Sequence, residues 1–150
     1  NRSKRELERL KRIAKTEGVW EDRRFRDEIA KLEVDIVALE MLVLRVLSAE
    51  KSGKNPLDIA GLLKIRGSEI QQRYAELMML AAGPYATPLI REAMEAGWQG
   101  DQAFGALGGF PGGEVANAPL SSTYFNLRKT TIYGGSNEVQ RNIVSQVVLG

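Results

Sequence analysis

The sequence predicts an all-α fold, an up-and-down helical bundle with shorter helical pieces added. Three observations predict it. Apolar residues recur at alternating spacings of three and four along two long stretches, which is the helical period. Start and stop signals bracket these stretches: Ser3 with Glu6, Gly18, Asn55-Pro56 and Gly83-Pro84. A chain of 150 residues, 43% hydrophobic, is enough for one sizeable core. Residues 1–150 are therefore expected to form one domain.

Residues 1–17 form the first predicted helix. Ser3-Lys4-Arg5-Glu6 fits a capping box, with Ser3 as cap and Glu6 reaching back. Leu7, Leu10, Ile13 and Ala14 make a narrow apolar stripe. The basic excess around it (Arg2, Lys4, Arg5, Arg9, Lys11, Arg12, Lys15) can touch phosphates, but interleaved glutamates favour a solvated face. Gly18 ends the segment.

Residues 21–51 carry the strongest helical pattern. Phe25, Ile29, Leu32, Ile36, Leu39, Val43 and Val46 form one stripe, and Val34, Val37, Met41 and Leu44 form a second on another side. A helix apolar on two faces is expected between neighbours in a bundle, whereas a coiled-coil seam would carry one stripe. The charges of Arg23, Arg24, Arg26, Asp27 and Glu28 belong to its exposed start, and Lys51-Ser52-Gly53 stops it.

The third helix opens at Asn55-Pro56, with Asn55 as cap, Pro56 at the first helical position and Asp58 in the first turn. Leu63, Gly67, Ile70, Tyr74, Leu77 and Ala81 make its stripe, and Gly67 is expected where a neighbouring helix comes close. Arg66, Glu69 and Arg73 are expected to pair structurally, or at an interface, and not as an acid–base pair. Gly83-Pro84 ends the helix. Pro88–Ala96 is a short helix. Gly97–Pro119 is glycine-rich and without period, with Trp98, Phe104 and Phe110 in it, and is expected to be a partner-contacting or mobile loop. Leu120–Arg128 resumes helix. Arg128 and Lys129 then stand before the final stretch, as a solvated pair or within reach of an anion.

Composition excludes much chemistry. With no cysteine there is neither a disulfide framework nor thiolate chemistry, and with no histidine the commonest general base and metal ligand is gone. Zinc spacings, a Walker loop and a catalytic Ser/His arrangement are absent, and no metal site is expected. A net charge of +2 with 27% charged residues argues against a nucleic-acid partner. No apolar run is long enough for a membrane span and no signal peptide is visible, so cytoplasm is the expected compartment. The chain starts at Asn1, without methionine, inside a charged helix, and is expected to be a piece of a longer protein.

The last twenty residues hold the candidate site. Thr131, Ile132 and Tyr133 run into Gly134-Gly135, then Ser136-Asn137, then an amphipathic segment. The glycines permit backbone angles and close approach that a side chain forbids. Ser136 or Asn137 can cap the following helix. Such a turn points backbone donors and the positive helix end at whatever lies in front, which suits a phosphate or pyrophosphate. The alternative is an ordinary capped turn.

The stretch Ile132-Tyr133-Gly134-Gly135-Ser136-Asn137-Glu138-Val139-Gln140-Arg141-Asn142-Ile143, ending Val147-Val148-Leu149-Gly150, resembles the C-terminal signature of the FAD-dependent acyl-CoA dehydrogenases. In that family a tyrosine, a Glu or Gly, a glycine, a Thr or Ser, a polar residue and a Glu or Gln lead into an Ile-Gln-Arg run. Val139 stands here in place of the isoleucine. The helices from Leu7 to Arg128 also run in the order of the family's C-terminal four-helix domain, whose first helix would be missing together with the two other domains. Leu10-Lys11-Arg12-Ile13-Ala14, Arg26-Asp27-Glu28 and the glycine-rich insert are similar to bacterial members, including large subunits of two-component enzymes acting on dicarboxylyl-CoA thioesters such as pimeloyl-CoA.

The resemblance implies part of an enzyme that introduces a Cα–Cβ double bond into an acyl-CoA thioester and passes the hydride to FAD. It implies Gly135, Ser136 and Glu138 as cofactor contacts, the first two at the diphosphate region and Glu138 at the adenosine part. Tyr133 and Gly134 would line the acyl pocket. It implies an electron-transfer flavoprotein-type acceptor and a homo- or hetero-oligomer, for which this segment supplies an interface. Two departures stand out. Gly134 occupies the position of the family's glutamate base, so no catalytic residue is expected here, and the base lies upstream or is lost. Where the family carries a Gln and a paired-glycine loop, this chain keeps only Gly83. The rival expectation is a non-catalytic helical oligomerisation module.

Overall fold

One helix, α3 (Leu57–Ala82), is the axis of the bundle. Around it lie α1 (Arg2–Thr16), α2 (Arg23–Lys51), α4 (Leu120–Arg128) and α5 (Asn137–Leu149), each packed against α3. A computed structural model gives this arrangement for residues 2–52, 57–87 and 120–149. Among the described residues there is no strand, as the predicted all-α bundle requires. The Asn55-Pro56 cap, the Pro88–Ala96 helix and the glycine-rich stretch with Trp98, Phe104 and Phe110 lie outside the described residues.

Each helix forms where its apolar stripe finds the axis. α1 begins at Arg2, so Ser3 sits inside its first turn and not at the cap. Its stripe of Leu7, Leu10, Ile13 and Ala14 is fully buried. Gly18 has φ 77°, the left-handed geometry that turns the chain out of a helix. A 3-10 turn at Val19–Glu21 follows, and the Asp22 carboxylate caps α2 by accepting from the Arg24 N–H at 2.9 Å. Arg26 secures this corner by donating to the carbonyls of Trp20 at 2.7 Å and Glu21 at 3.1 Å. From α2, Ile29, Leu32 and Ile36 meet Tyr74, Leu77 and Met78 of α3 and Leu120 and Leu127 of α4 in one core. Burying each large aliphatic side chain contributes about 1.5–3 kcal/mol. At the far end Gly83 takes φ 61° and a 3-10 turn replaces α3, as Gly83-Pro84 predicted.

Two expectations about helix faces need correction. α2 is buried on one face only. Val34 is 68% exposed, and Val37, Met41 and Leu44 beside it are also exposed. No described element lies on that side, so the second stripe is an open apolar face. Gly67 is not where helices press together: nothing stands within 4 Å of a Cβ built there. The close approach is at Gly61, six residues earlier, where a Cβ would meet Val144 Cγ2 at 2.7 Å. The stripe at Gly67 faces a cleft instead. Gly67→Ala is therefore expected to raise stability by about 0.5–1 kcal/mol, the helix-interior cost of glycine. Thermal unfolding checks this, and a lowered midpoint would show a close neighbour after all.

The charged residues of α3 are structural, as expected. Arg66 pairs with Glu69 at 3.1 Å and reaches Asp35 of α2 at 2.6 Å. Arg73 pairs with Glu76 at 2.7 Å and with Glu28 of α2. The partners Lys31 and Arg73 hold the Glu28 carboxyl below its ordinary range. Arg141 of α5 closes on Glu69 at 3.1 Å. These pairs are half-exposed and screened by solvent, so they set register more than stability.

Candidate cofactor-binding turn

After α4 the chain makes a 3-10 turn at Lys129–Thr131, and the N–H groups of Ile132 and Tyr133 both donate to the Lys129 carbonyl, at 2.9 and 3.1 Å. Gly134 and Gly135 then take φ 70° and 86°, two consecutive left-handed residues that only glycine adopts without strain. They swing the backbone into α5. Ser136 is the cap: its carbonyl accepts from the Gln140 N–H at 2.9 Å and its hydroxyl from the Val139 N–H at 3.4 Å. Asn137 is the first helical residue, so of the two candidate caps the structure uses Ser136. Tyr133, Gly134 and Gly135 are exposed, Tyr133 by 57%.

The turn is fastened to α3 at both ends. Upstream, Gln72 Nε2 donates to the carbonyls of Leu127 at 3.3 Å and Arg128 at 3.1 Å, and to Thr131 Oγ1 at 3.3 Å. The same two carbonyls also accept from the hydroxyls of Thr130 at 2.7 Å and Thr131 at 3.3 Å, so Gln72 joins a local cap to α3. Arg128 reciprocates, donating from Nη2 to the Gln72 carbonyl at 3.1 Å, while its guanidinium lies over the Tyr124 ring at 4.3 Å. Arg128 is thus not a freely solvated cation, and its Nε is buried without a hydrogen-bond partner. Lys129 alone keeps an exposed side chain. Downstream, the Asn137 side chain is only 4% exposed, and its Oδ1 accepts from Lys64 Nζ at 2.8 Å and from Ser68 Oγ at 3.2 Å. Across the turn, Gln140 Nε2 donates to the Gly134 carbonyl at 3.2 Å.

A cleft of about 250 Å³ opens between α3 and the turn, with Tyr133 and Gly134 on one wall and Lys64, Gly67 and Gln71 on the other. Of the predicted residues, Tyr133, Gly134, Gly135, Ser136 and Glu138 lie together on the turn and the first turn of α5. Glu138 is exposed. Its own backbone N–H and the Ser136 hydroxyl hold its carboxyl below the usual carboxylate range. It stands at a helix N-terminus, where the dipole favours a negative charge. At Gly134 nothing stands within 4 Å of a built Cβ, so space for a side chain is present and the side chain is not. Among the described residues no cluster of acidic side chains suits a metal ion. No helix among them is long and apolar enough to cross a membrane.

A family model described as "Acyl-CoA dehydrogenase, C-terminal domain" matches residues 4–149. The chain belongs to the acyl-CoA dehydrogenase family. The match spans all five helices, so the bundle is that family's C-terminal domain. No curated protein and no solved structure gives a match. Membership supports a flavin-dependent dehydrogenase role for the protein that carries this domain. Within it, sequence reasoning missed Gln72 and gave Asn137 only a possible capping role. Nothing local distinguishes Gln72 from Gln71 beside it. One signal was available for Asn137: Lys64 and Ser68 are four apart on one helix and share an acceptor only if a third element brings one.

Proposed function

We propose that this chain is the part of an acyl-CoA dehydrogenase that presents the Gly134–Ser136 turn to FAD, in an enzyme forming a Cα–Cβ double bond in an acyl-CoA thioester. The observation that carries the reading is the exposed turn of two left-handed glycines at the start of a thirteen-residue helix, in a chain of this family. Such a turn allows close backbone approach, and the helix start favours an anion. The Lys64 ammonium beside Asn137 adds a cation at the same end. These features fit the diphosphate of FAD, with Gly135 and Ser136 nearest it and Glu138 toward the adenosine part. FAD supplies the hydride acceptor when bound. Tyr133 and Gly134 line the adjoining cleft, the candidate acyl pocket.

The base is not in this turn. Glycine takes no proton, and Glu138 stands four residues further on, exposed at the start of α5 and turned toward the proposed cofactor side. The proton at Cα leaves to a carboxylate elsewhere in the enzyme. The electron acceptor is proposed to be an electron-transfer flavoprotein, and the assembly a cytoplasmic homo- or hetero-oligomer. A dicarboxylyl-CoA such as pimeloyl-CoA is the proposed substrate class.

The bare α2 face favours a second reading, a helical oligomerisation module without a cofactor. The visible absorption spectrum of the full-length protein, recorded before and after addition of a saturated acyl-CoA, separates the two. Flavin bands that bleach on addition support the dehydrogenase. A colourless protein that FAD cannot reconstitute leaves the assembly module standing.

A further inference from the structure

Gly61, Lys64, Ser68 and Gln72 follow one another on α3 at spacings of three, four and four, which puts them on one face. All four meet the segment around Gly134. Gln72 holds the end of α4 just before the turn. Lys64 and Ser68 hold Asn137 just after it. Gly61 leaves room for Gln140, whose Oε1 lies 3.3 Å from a Cβ built at Gly61 and whose Nε2 donates to the Gly134 carbonyl.

Between these anchors the turn is held only by its own local bonds, those of Ile132 and Tyr133 to the Lys129 carbonyl and of Gln140 to the Gly134 carbonyl. Tyr133, Gly134 and Gly135 are exposed, and two consecutive glycines are the least restrained pair a backbone can have. Burial does not fix where the turn stands; the polar contacts on either flank do. We propose that Gln72 and Asn137 are positioning residues that set the Gly134 turn for the cofactor, with α3 as the rigid element they read from. This rests on the turn meeting FAD, as proposed above. Neither residue needs to touch the cofactor. Their effect is preorganisation: FAD then meets a turn already in place, with less ordering left for binding to supply.

The test uses the full-length dehydrogenase with three variants. Gln72→Met keeps length and removes the donors. Asn137→Ala removes the acceptor, and Asn137→Asp keeps it. Amide hydrogen exchange is followed over residues 129–137 without cofactor, and the affinity of the apo-protein for FAD is measured by titration. Gln72→Met and Asn137→Ala are each expected to speed exchange in that segment and to weaken FAD binding about tenfold, the loss of one or two net hydrogen bonds. Exchange in α1 and α2 stays at the wild-type rate, and Asn137→Asp exchanges as wild type. Unchanged exchange over 129–137 in both deletion variants overturns the proposal. So does faster exchange with wild-type FAD affinity, which makes the anchors structural only. If the wild-type protein takes up no FAD, the reading of the turn as a cofactor site falls and the proposal falls with it. That result is distinct from a flavin-binding parent whose variants are indifferent.

Discussion

Gly135→Leu in the full-length dehydrogenase is expected to empty the protein of flavin and leave it folded. Two effects combine at this position. Its φ of 86° is one that a branched side chain adopts only under strain, at a cost of about 1–3 kcal/mol. A Cβ there would also stand 2.6 Å from Gln140 Nε2. The Gln140 carboxamide is the end of a flexible side chain and will swing aside. In doing so it releases the Gly134 carbonyl it holds at 3.2 Å. The turn then relaxes to another backbone path, away from the one proposed to face the cofactor. A combined loss of about 2–3 kcal/mol corresponds to FAD binding weaker on the order of 100-fold. The core is remote from this change, so helix content by circular dichroism stays at the wild-type level. Wild-type flavin content in the variant would show that the turn does not meet the cofactor.

The second large effect is on stability. Leu10 has no exposed surface and sits in the core beside Ile13, with Tyr74 and Leu77 of α3 in the same cluster. Leu10→Ala removes that packing and leaves a cavity that α1 fills only in part. The expected cost is about 2–5 kcal/mol. For a chain of 150 residues this lowers the thermal midpoint by roughly 5–20 °C. An unchanged midpoint would mean that α1 is not integral to the bundle. Lys4→Ala makes the control on the same helix. Its ammonium is well exposed in its pair with Glu40, and the change is expected to shift stability by at most about 1 kcal/mol.

Most of the bundle was legible in the sequence because helical periodicity reports burial directly. The α1 stripe is buried as spaced, and Gly18 and Gly83 end their helices with the left-handed angles their positions suggested. What escaped was anything that depends on which neighbour lies across a gap. Periodicity shows that α2 has two apolar sides but not that one lacks a partner among the described residues. It marks Gly67 and Gly61 alike as small residues on α3, while only the position of Val144 makes Gly61 the contact. The site divides the same way. Tyr133 through Glu138 are visible as a motif, since glycine angles and capping are local. Gln72 and the Asn137 triad join residues far apart in sequence, so they appear only once α4 and α5 lie against α3.

On the proposed reading, with the base elsewhere in the enzyme, Gly134 carries a consequence for where a base can stand. The position has ample volume, since nothing lies near a built Cβ, yet its φ of 70° belongs to the left-handed region. What resists a glutamate here is torsion, by about 1–2 kcal/mol, and not crowding. A lineage that moves its carboxylate onto this turn must therefore rebuild the backbone at the same time, and with it the carbonyl that Gln140 holds. On the proposed reading, glycine here leaves the turn's geometry free to serve the cofactor alone. Where the proton goes and how the turn is shaped are then inherited together.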